Sequence, residues 1–471
     1  MKKILFLTAS AIAMLASCSQ NDLEAPVVAE AQQSAVDFGT YLGKAATSRA
    51  GWTGDISETG AELKNDTKAN GFGVFATYTK NLDYDAATAT KLPNFMYNQQ
   101  VTWASTAWTY SPLKYWPNGL DDLQPADGGD DATLTEGGKV SFFAYAPYVT
   151  KAAADDDAST GTGIIGMSAN NADAHPTVTY KMNTTGKNVD LLWGTASTTA
   201  SEQSGDNLSG AKQAGATLTG GQAPVNVNIT KQQKDGKVRF LFKHALAKVG
   251  GAGDGLQIKL DADEGTGFGS TSNTTVVTVT NIQISKNSSA TKQASGTLDL
   301  ATGVWSSLDG SDAFSQTIKT GASGDSEAEL NAAIKEQAVN TTVDAVANST
   351  WSDAENGMLY NSHTGVTLSA QNVYNDNVAP LLFFPGETPS LDVQITYTIR
   401  TKDPNLASGY SEVVQTVKKT VTFGSTVVMN KRYKLLIILG ITSVKFEATV
   451  DNWEDVDATG NQIINLPLNV N

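Results

Sequence analysis

The chain has one cysteine among its 471 residues, Cys18. A disulfide needs two cysteines, so this content excludes an internal disulfide network, and an exported protein of this size must depend on its hydrophobic cores. The length also exceeds what one core usually supports, and two domains of about 200 residues fit the usual limits. We therefore expect two packed domains without covalent cross-links.

Cys18 ends a segment that is typical of exported bacterial lipoproteins. Lys2 and Lys3 give a basic start, residues 4–16 are apolar or small, and residues 15–18 read LASC. The apolar run is shorter than the ~20 residues of a membrane-spanning helix, and the order is that of a secretory signal. We predict a signal peptide at residues 1–18 and a lipid on Cys18 that anchors the precursor to a membrane without spanning it. The alternative is an ordinary signal peptide with a chance cysteine.

Positive charge is also scarce. Lysine and arginine number 33 against 48 aspartates and glutamates, and the formal net charge is -15. Proteins that bind nucleic acids carry a basic surface, so this balance excludes a nucleic acid as partner.

The residues of common catalytic sites are few and scattered. The chain has three histidines, which lie far apart: His175, His244 and His363. It contains no GxSxG or HExxH motif and no phosphate-binding loop. His244 shares the alternating face of Phe240 and Phe242, which predicts a partly buried structural histidine. The acidic runs at 129–131 and 155–157 lack the spacing of a calcium loop. We predict no enzyme, no cofactor and no metal site, although the sequence leaves open a carboxylate pair assembled in space.

Helical periodicity is nearly absent, and only residues 327–345 suggest a helix or a loop excursion. Large apolar residues instead alternate with polar ones, as in half-buried antiparallel strands. Such runs lie at residues 72–78, 140–147, 225–229, 238–242, 276–284, 391–399, 413–423 and 433–441. Residues 435–439 are continuously apolar and predict a buried central strand. The pattern predicts an all-β protein.

Polar and glycine-rich stretches divide this pattern. Residues 119–138, 152–174 and 198–221 have the composition of long surface loops. The polar stretch at 232–237 predicts the boundary between two domains. The predicted organisation is a signal peptide (1–18), a propeptide (19–49), a first domain (50–235), a second domain (236–457) and a tail (458–471).

The propeptide contains a strand and a candidate cleavage site. The alternating residues on one face of the strand are Val36, Phe38, Thr40 and Leu42. Residues 44–51 follow, and these small and polar residues surround a single arginine, Arg49. Exposed segments of this composition are favoured sites of proteolysis. The alternative is a plain linker between strands, which composition alone favours.

The C-terminal tail has a second alternating pattern. The apolar residues on its one face are Ile464, Leu466, Leu468 and Val470. Pro467 lacks an N–H group, which favours a position at the edge of a sheet. Either the tail is the last strand of its own domain, or it completes a neighbouring subunit by β-strand addition.

Several stretches together resemble the fimbrillin family, the pilus subunits of Bacteroides-type Gram-negative bacteria. They include the strand at 36–42 with its Thr-Ser-Arg-Ala sequence at 47–50, and two aromatic-rich segments, FMYNQQVTW at 95–103 and WTYSPLKYWP at 108–117. The others are residues 140–148, FLFKHALAKV at 240–249, LLFFPG at 381–386 and VDNWE at 450–454. The resemblance spans nearly the whole chain after the signal peptide.

This resemblance implies two transthyretin-like antiparallel β-sandwich domains in tandem. It also implies an outer-membrane lipoprotein precursor that an Arg-specific surface protease cuts between Arg49 and Ala50. The cut would release the leading strand of Val36, Phe38 and Leu42. A donor strand from another subunit would fill the resulting groove, so that a cell-surface fimbrium grows. The donor residues would be Ile464, Leu466, Leu468 and Val470.

A second interpretation is a monomeric surface lipoprotein that binds glycans. The chain has eight tryptophans, and a coplanar row of exposed aromatic rings would favour this interpretation. Most of the tryptophans lie in strand-like runs and are expected to fill cores. A pilus subunit could also contact host or bacterial surface ligands.

Overall fold

A computed structural model describes residues 35–41, 70–104, 107–117, 138–151, 162–182, 188–198, 214–230, 237–250, 253–260, 275–286, 293–310, 317–319, 358–361, 371–374, 381–403, 405–407, 410–439, 444–452, 464–466 and 468–470. The predicted signal peptide with Cys18, the residues Leu42, Arg49 and Ala50, and the candidate helix at 327–345 lie outside this set.

The elements of the described residues are all β-strands, which confirms the predicted all-β class. The strands are β1 (Asp37–Tyr41), β2 (Phe72–Lys80), β3 (Met96–Ala104), β4 (Ala107–Thr109), β5 (Lys139–Ala146), β6 (Gly163–Met167), β7 (Thr177–Lys181), β8 (Leu192–Thr195), β9 (Asn226–Ile229), β10 (Lys237–His244), β11 (Ala247–Val249), β12 (Gly253–Leu260), β13 (Thr275–Lys286), β14 (Gln293–Asp299), β15 (Trp305–Gly310), β16 (Thr317–Lys319), β17 (Met358–Asn361), β18 (Gln371–Tyr374), β19 (Leu381–Phe383), β20 (Ser390–Lys402), β21 (Tyr410–Phe423), β22 (Lys431–Leu439), β23 (Val444–Asn452), β24 (Ile464–Leu466) and β25 (Leu468–Val470).

The strands form four sheets. An eight-stranded sheet has the order β1-β10-β8-β5-β2-β3-β4, with β9 beside β5. A four-stranded sheet has the order β15-β14-β7-β6. A seven-stranded sheet contains β18-β12-β22-β11-β19, with β23 beside β22 and β24 beside β23. A six-stranded sheet has the order β16-β13-β20-β21-β25, with β17 beside β13. Among the described strand pairs, only β1–β10, β11–β22 and β12–β22 are parallel, so the predicted antiparallel character is confirmed for most of the fold.

The eight-stranded sheet is buried on both faces of its central strands. Phe72 of β2 and Phe142 of β5 face one core, whereas Phe75 and Phe143 of the same strands face another. The first core consists of Val36, Phe38, Phe72, Val74, Ala76, Met96, Val101, Trp108, Tyr110, Trp116, Val140, Phe142, Ala144, Ala146, Leu192, Ile229, Val238, Phe240 and Phe242. Continuous apolar runs such as that of β5 follow from this double burial.

The second core lies between the eight-stranded and four-stranded sheets. Its residues are Phe75, Tyr84, Phe143, Tyr145, Ile164, Val178, Tyr180, Met182, Leu191, Trp193, Leu218, Ala223, Val225, Val227, Ala245, Leu246, Leu298, Leu300, Ala301, Leu382 and Phe384. The set combines side chains from before and after the predicted boundary at 235, so the two predicted domains share this core.

The third core lies between the seven-stranded and six-stranded sheets. Its residues are Ala247, Val249, Leu256, Ile258, Ile282, Ile284, Leu381, Phe383, Leu391, Val393, Ile395, Tyr397, Val421, Phe423, Val427, Tyr433, Leu435, Ile437, Leu439, Val444, Phe446 and Ala448. Strand β22 has β11 and β12 on one side and β23 on the other. The prediction of a central buried strand at residues 435–439 is confirmed.

After residue 235 the chain changes more than once between the two pairs of sheets. Strand β10, assigned by sequence to the start of the second domain, pairs with β8 and β1 of the eight-stranded sheet. Strands β14 and β15 also belong with the first half, because β14 pairs with β7. An alternating pattern defines the faces of a strand but not its neighbours, so sequence could not assign these three strands to a sheet. The predicted domain bounds and the number of independently folding domains stay predictions.

Tryptophan side chains connect these parts around the second core. The Nε1–H of buried Trp193 in β8 donates to the carbonyl of Leu300, at 2.8 Å. The Nε1–H of Trp305 in β15 donates to the carbonyl of Ala245, at 2.9 Å. Gly303 turns the chain between β14 and β15 with φ of +73°, directly against the ring of Trp193. Both hydrogen bonds hold the β14–β15 hairpin onto the eight-stranded sheet.

No helix in the described part of the chain has the length and apolar character to cross a bilayer.

The turn at Gly303 supplies a stability prediction. Gly303→Ala should lower the free energy of unfolding by about 2–5 kcal/mol, because an added methyl meets the Trp193 ring and the positive φ is strained for alanine. Gly386→Ala is a matched control, since its φ is +90° and nothing lies within 4 Å of an added Cβ. Urea unfolding followed by tryptophan fluorescence measures both. Equal losses in the two variants would contradict the packing role of Gly303.

Candidate functional site

The predicted leading strand is the outermost strand of the eight-stranded sheet. β1 runs parallel to β10, from Asp37 opposite Lys237 to Tyr41 opposite Leu241. The predicted strand at residues 36–42 therefore forms as β1. Leu42 lies outside the described residues.

The residues just before β1 also contact the opposite edge of the same sheet. The N–H of Val36 donates to the carbonyl of Lys114, at 2.9 Å. Ala35 forms an antiparallel bridge with Tyr115. The segment from Ala35 through β1 thus lies between β10 and the chain that follows β4. It closes the curved sheet around the first core.

Alternate side chains of this segment are buried. Val36 is 0% exposed and Phe38 is 1% exposed, whereas Asp37 between them is exposed. This alternation agrees with the sequence pattern, which put Val36 and Phe38 on one face. Burial of two such side chains contributes about 1.5–3 kcal/mol each before ordering costs.

Phe38 is surrounded by aromatic rings of the first core. Its ring centroid lies 5.3 Å from that of Tyr110, 5.9 Å from Phe142, 6.0 Å from Phe240 and 6.3 Å from Phe72. Edge-to-face, tilted and stacked ring pairs at such distances add to the energy of burial. These four rings come from four separate segments of the chain, namely β2, β5, β10 and the stretch after β4. Phe38 therefore packs against all four segments.

Tyr110 fixes the backbone at the start of the leading segment. Its hydroxyl donates to the carbonyl of Val36, at 2.8 Å, and accepts from the N–H of Lys114, at 3.2 Å. Burial raises the pKa of Tyr110 to about 12. The hydroxyl therefore keeps its proton near neutral pH and remains a donor to Val36.

Loss of the leading segment would leave an apolar groove with defined walls. One wall is β10, whose buried side chains toward the first core are Val238, Phe240 and Phe242. The other wall is the segment from Tyr110 to Tyr115. An open edge with exposed apolar side chains is a template for pairing with another strand.

The predicted tail forms two short strands at sheet edges. β24 pairs antiparallel with β23 of the seven-stranded sheet, and β25 pairs antiparallel with β21 of the six-stranded sheet, so the described parts of the tail contact both sheets of the third core. The paired residues are Val450 with Ile464, Ala448 with Leu466, Phe423 with Leu468, and Val421 with Val470. Sequence predicted one continuous strand. Its role as a donor to a neighbouring subunit stays a prediction.

The histidines have structural partners. His244 is 8% exposed, and its Nδ1 lies 2.6 Å from Oδ2 of the fully buried Asp190. This contact confirms the prediction of a buried structural histidine. His175 Nδ1 lies 2.8 Å from Oδ2 of Asp299. His363 lies outside the described residues, and the described ranges hold no group of three or more His, Cys, Asp or Glu side chains arranged for a metal ion.

The tryptophans of the described part lie in cores or against them. Trp108, Trp116 and Trp193 are buried, while Trp103 packs against the first core and Trp305 against the second. Their positions agree with the prediction that most tryptophans fill cores.

Sequence reasoning missed the second wall of the groove. Tyr110 and Lys114 lie in the aromatic-rich segment at 108–117, yet nothing in its alternation indicates contact with Val36, 74 residues earlier for Tyr110. The cluster of aromatic residues in that segment was the available signal.

Comparisons with known proteins address this fold. No protein-family model matches the chain. The fimbrium subunit Fim1C of Phocaeicola vulgatus is 28% identical over 214 residues, which cover 45% of this chain and 43% of that relative. The chain thus spans less than half the length of the curated relative it matches.

The solved structures include one of similar fold. A crystal structure of a fimbrial protein from Bacteroides vulgatus matches with a TM-score of 0.55 and 21% identity, over 89% of this chain and 99% of the other. The chain therefore shares the overall fold of that protein. Together with the sequence match, this similarity confirms the resemblance to the fimbrillin family.

The position of Phe38 supplies the second stability prediction. Phe38→Ala should lower the free energy of unfolding by about 3–5 kcal/mol, because it empties a site enclosed by four rings. Asp37→Ala, on the exposed face of the same strand, should change it by less than about 0.5 kcal/mol. Urea unfolding followed by tryptophan fluorescence reports on the first core, which contains Trp108 and Trp116. A small effect of Phe38→Ala would show that β1 contributes little to this core.

Proposed function

We propose that the protein is a structural subunit of a cell-surface pilus, assembled by protease-triggered donor-strand exchange. The observation that carries the proposal is the leading segment held between β10 and residues 110–115, with Val36 and Phe38 in the first core. Its removal would uncover a groove suited to one strand. The similarity to fimbrial proteins supports the pilus role, which requires no enzyme activity and no cofactor.

The first step is export and anchoring. The signal peptide at 1–18 directs the chain out of the cytoplasm, and a lipid on Cys18 holds the precursor at the outer membrane. With residues 19–49 still attached, the leading strand fills its own groove. A strand on the same chain has a high effective concentration, so a strand from another molecule cannot compete.

The second step is cleavage between Arg49 and Ala50 by an Arg-specific surface protease. The cut separates the leading strand from the body of the subunit and removes the lipid with it. The strand is then held only by non-covalent contacts and is diluted once it dissociates. The loss is irreversible, so assembly begins only after the precursor reaches the protease.

The third step is donation of a strand. The tail alternates apolar residues at Ile464, Leu466, Leu468 and Val470, which matches the alternation of Val36 and Phe38 in the groove. In its own subunit the tail pairs through two short strands at edges. Strand exchange would replace these two short pairings by one longer pairing in the groove of the neighbouring subunit. Mature subunits then join in the fimbrium, where the fibre supports adhesion to host or bacterial surfaces.

The alternative is a monomeric glycan-binding lipoprotein. It would be favoured by a flat row of exposed aromatic side chains. The described tryptophans pack in or against cores, so no observation in the described ranges favours this alternative.

Blocking the cut tests the processing step. Arg49→Ala should leave a full-length, lipidated monomer that forms no fibres, since the leading strand stays covalently attached. Lys44→Ala, a second basic residue of the same segment, is the matched control and should be processed normally by an Arg-specific protease. The measurement is the N-terminal sequence and size of surface material, with Ala50 expected first in wild-type fibres. Normal fibres from Arg49→Ala would overturn the processing step.

Changing one face of the tail tests the donor step. Leu466→Asp with Leu468→Asp should abolish fibres while leaving cleaved, folded subunits, because buried carboxylates are disfavoured in an apolar groove. The matched control is Asn465→Asp with Asn469→Asp, which adds the same charge on the other face. Electron microscopy and gel filtration of surface material compare them. Equal fibre yields in both variants would exclude the tail as donor.

A further inference from the structure

The second half of the fold contains a long edge that the terminal strands leave open. β20 and β21 form a hairpin that pairs from Ser390 with Thr422 to Lys402 with Tyr410. On the other side of β21, the partner among the described strands is β25, which covers only residues 421–423. The backbone of residues 410–420 therefore lies at a sheet edge in the described part of the fold.

This edge exposes apolar side chains. Val413 is 49% exposed and Val414 is 61% exposed, and as neighbours in a strand they point to opposite faces. Natural proteins usually cover or blunt a long edge that carries exposed β-branched residues, because such an edge pairs readily with another strand. Val413 and Val414 therefore mark this stretch as a surface for strand pairing.

We propose that residues 411–419 pair antiparallel with the same residues of a second copy of this chain, centred on Gln415. Backbone N–H and C=O groups of successive residues point alternately to the two sides of a strand. A strand can therefore pair with its own copy only in a register centred on a residue. The possible centres along this edge are few, and their side-chain pairs differ.

The register centred on Gln415 joins opposite charges twice. It puts Glu412 opposite Lys418 of the second copy, and the two-fold axis repeats this pair. It also puts Val413 opposite Val417 of the second copy. Opposite charges and β-branched pairs in such positions each stabilise a sheet.

The neighbouring registers lack this complementarity. Centring on Val414 puts Glu412 opposite Thr416, and centring on Thr416 puts Val414 opposite Lys418. Within its own sheet Glu412 is already beside Arg400 of β20. In the proposed pairing, Lys418 of the second copy lies opposite Glu412 on its other side. Glu412 then has a basic residue in register on each side.

The proposed pairing would join two copies edge to edge and does not depend on strand exchange. It uses β21 and neither the groove of β1 nor the tail strands. In a fibre built by strand exchange, the edge would join subunits of adjacent filaments. In a chain that does not polymerise, it would form a dimer.

A single introduced cysteine tests the register. Gln415→Cys in the full chain, combined with Arg49→Ala to keep strand exchange blocked, should give disulfide-linked dimers under mild oxidation, since the two thiols meet at the axis. Leu406→Cys, at the exposed far end of the hairpin, is the control and should give none above the level of random collision. The Arg49→Ala parent reports any contribution of Cys18. Non-reducing gels measure the yield.

A charge exchange tests the pairs. In the Gln415→Cys background, Glu412→Lys should lower the dimer yield about tenfold, because it creates two like-charge pairs. Adding Lys418→Glu should restore the yield, and circular dichroism verifies the fold of each variant. Equal cross-linking at 406 and 415, or no rescue by the double exchange, would overturn the proposal. Slow exchange in dilute monomer of those amides in 411–419 that point away from β20 would also overturn it, because another part of the chain would then cover the edge.

Discussion

The packing of the first core depends on β1, an edge strand that lies in the predicted propeptide. Phe38 lies among four aromatic rings, and the backbone of the leading segment joins β10 on one side to Lys114 on the other. While it is present, this segment covers the edge of β10 and contacts the chain that follows β4. Its absence would uncover aromatic surface and two lines of backbone groups at once. A strand at this position, from this chain or from another molecule, would cover both.

The strands at both ends of the chain lie at the edges of their sheets. β1, β24 and β25 are all outermost strands, so each could leave without opening the centre of a sheet. The cores between them have no disulfide, and their stability rests on close packing such as that of Trp193 with the turn at Gly303. The proposed assembly needs this arrangement, in which the cores are closely packed and the outermost strands can be replaced.

Much of the fold follows from the sequence. Alternation predicted the strands that became β2, β5, β10, β13 and β20 to β22, and the apolar run at 435–439 predicted a central strand. It also placed Val36 and Phe38 on one buried face. Alternation could not predict partners: β10 belongs to the first sheet, and β14 pairs with β7. Nor could it find Tyr110 as the donor to Val36, since that contact depends on the curvature of the sheet.

The most direct test of the account is a structure of native fibres by electron cryo-microscopy. The account predicts that density between β10 and residues 110–115 traces the residues around 464–470 of the neighbouring subunit, with Ala50 as the first residue of each subunit. The account would be contradicted if residues 36–41 of the same chain still filled that position in fibres.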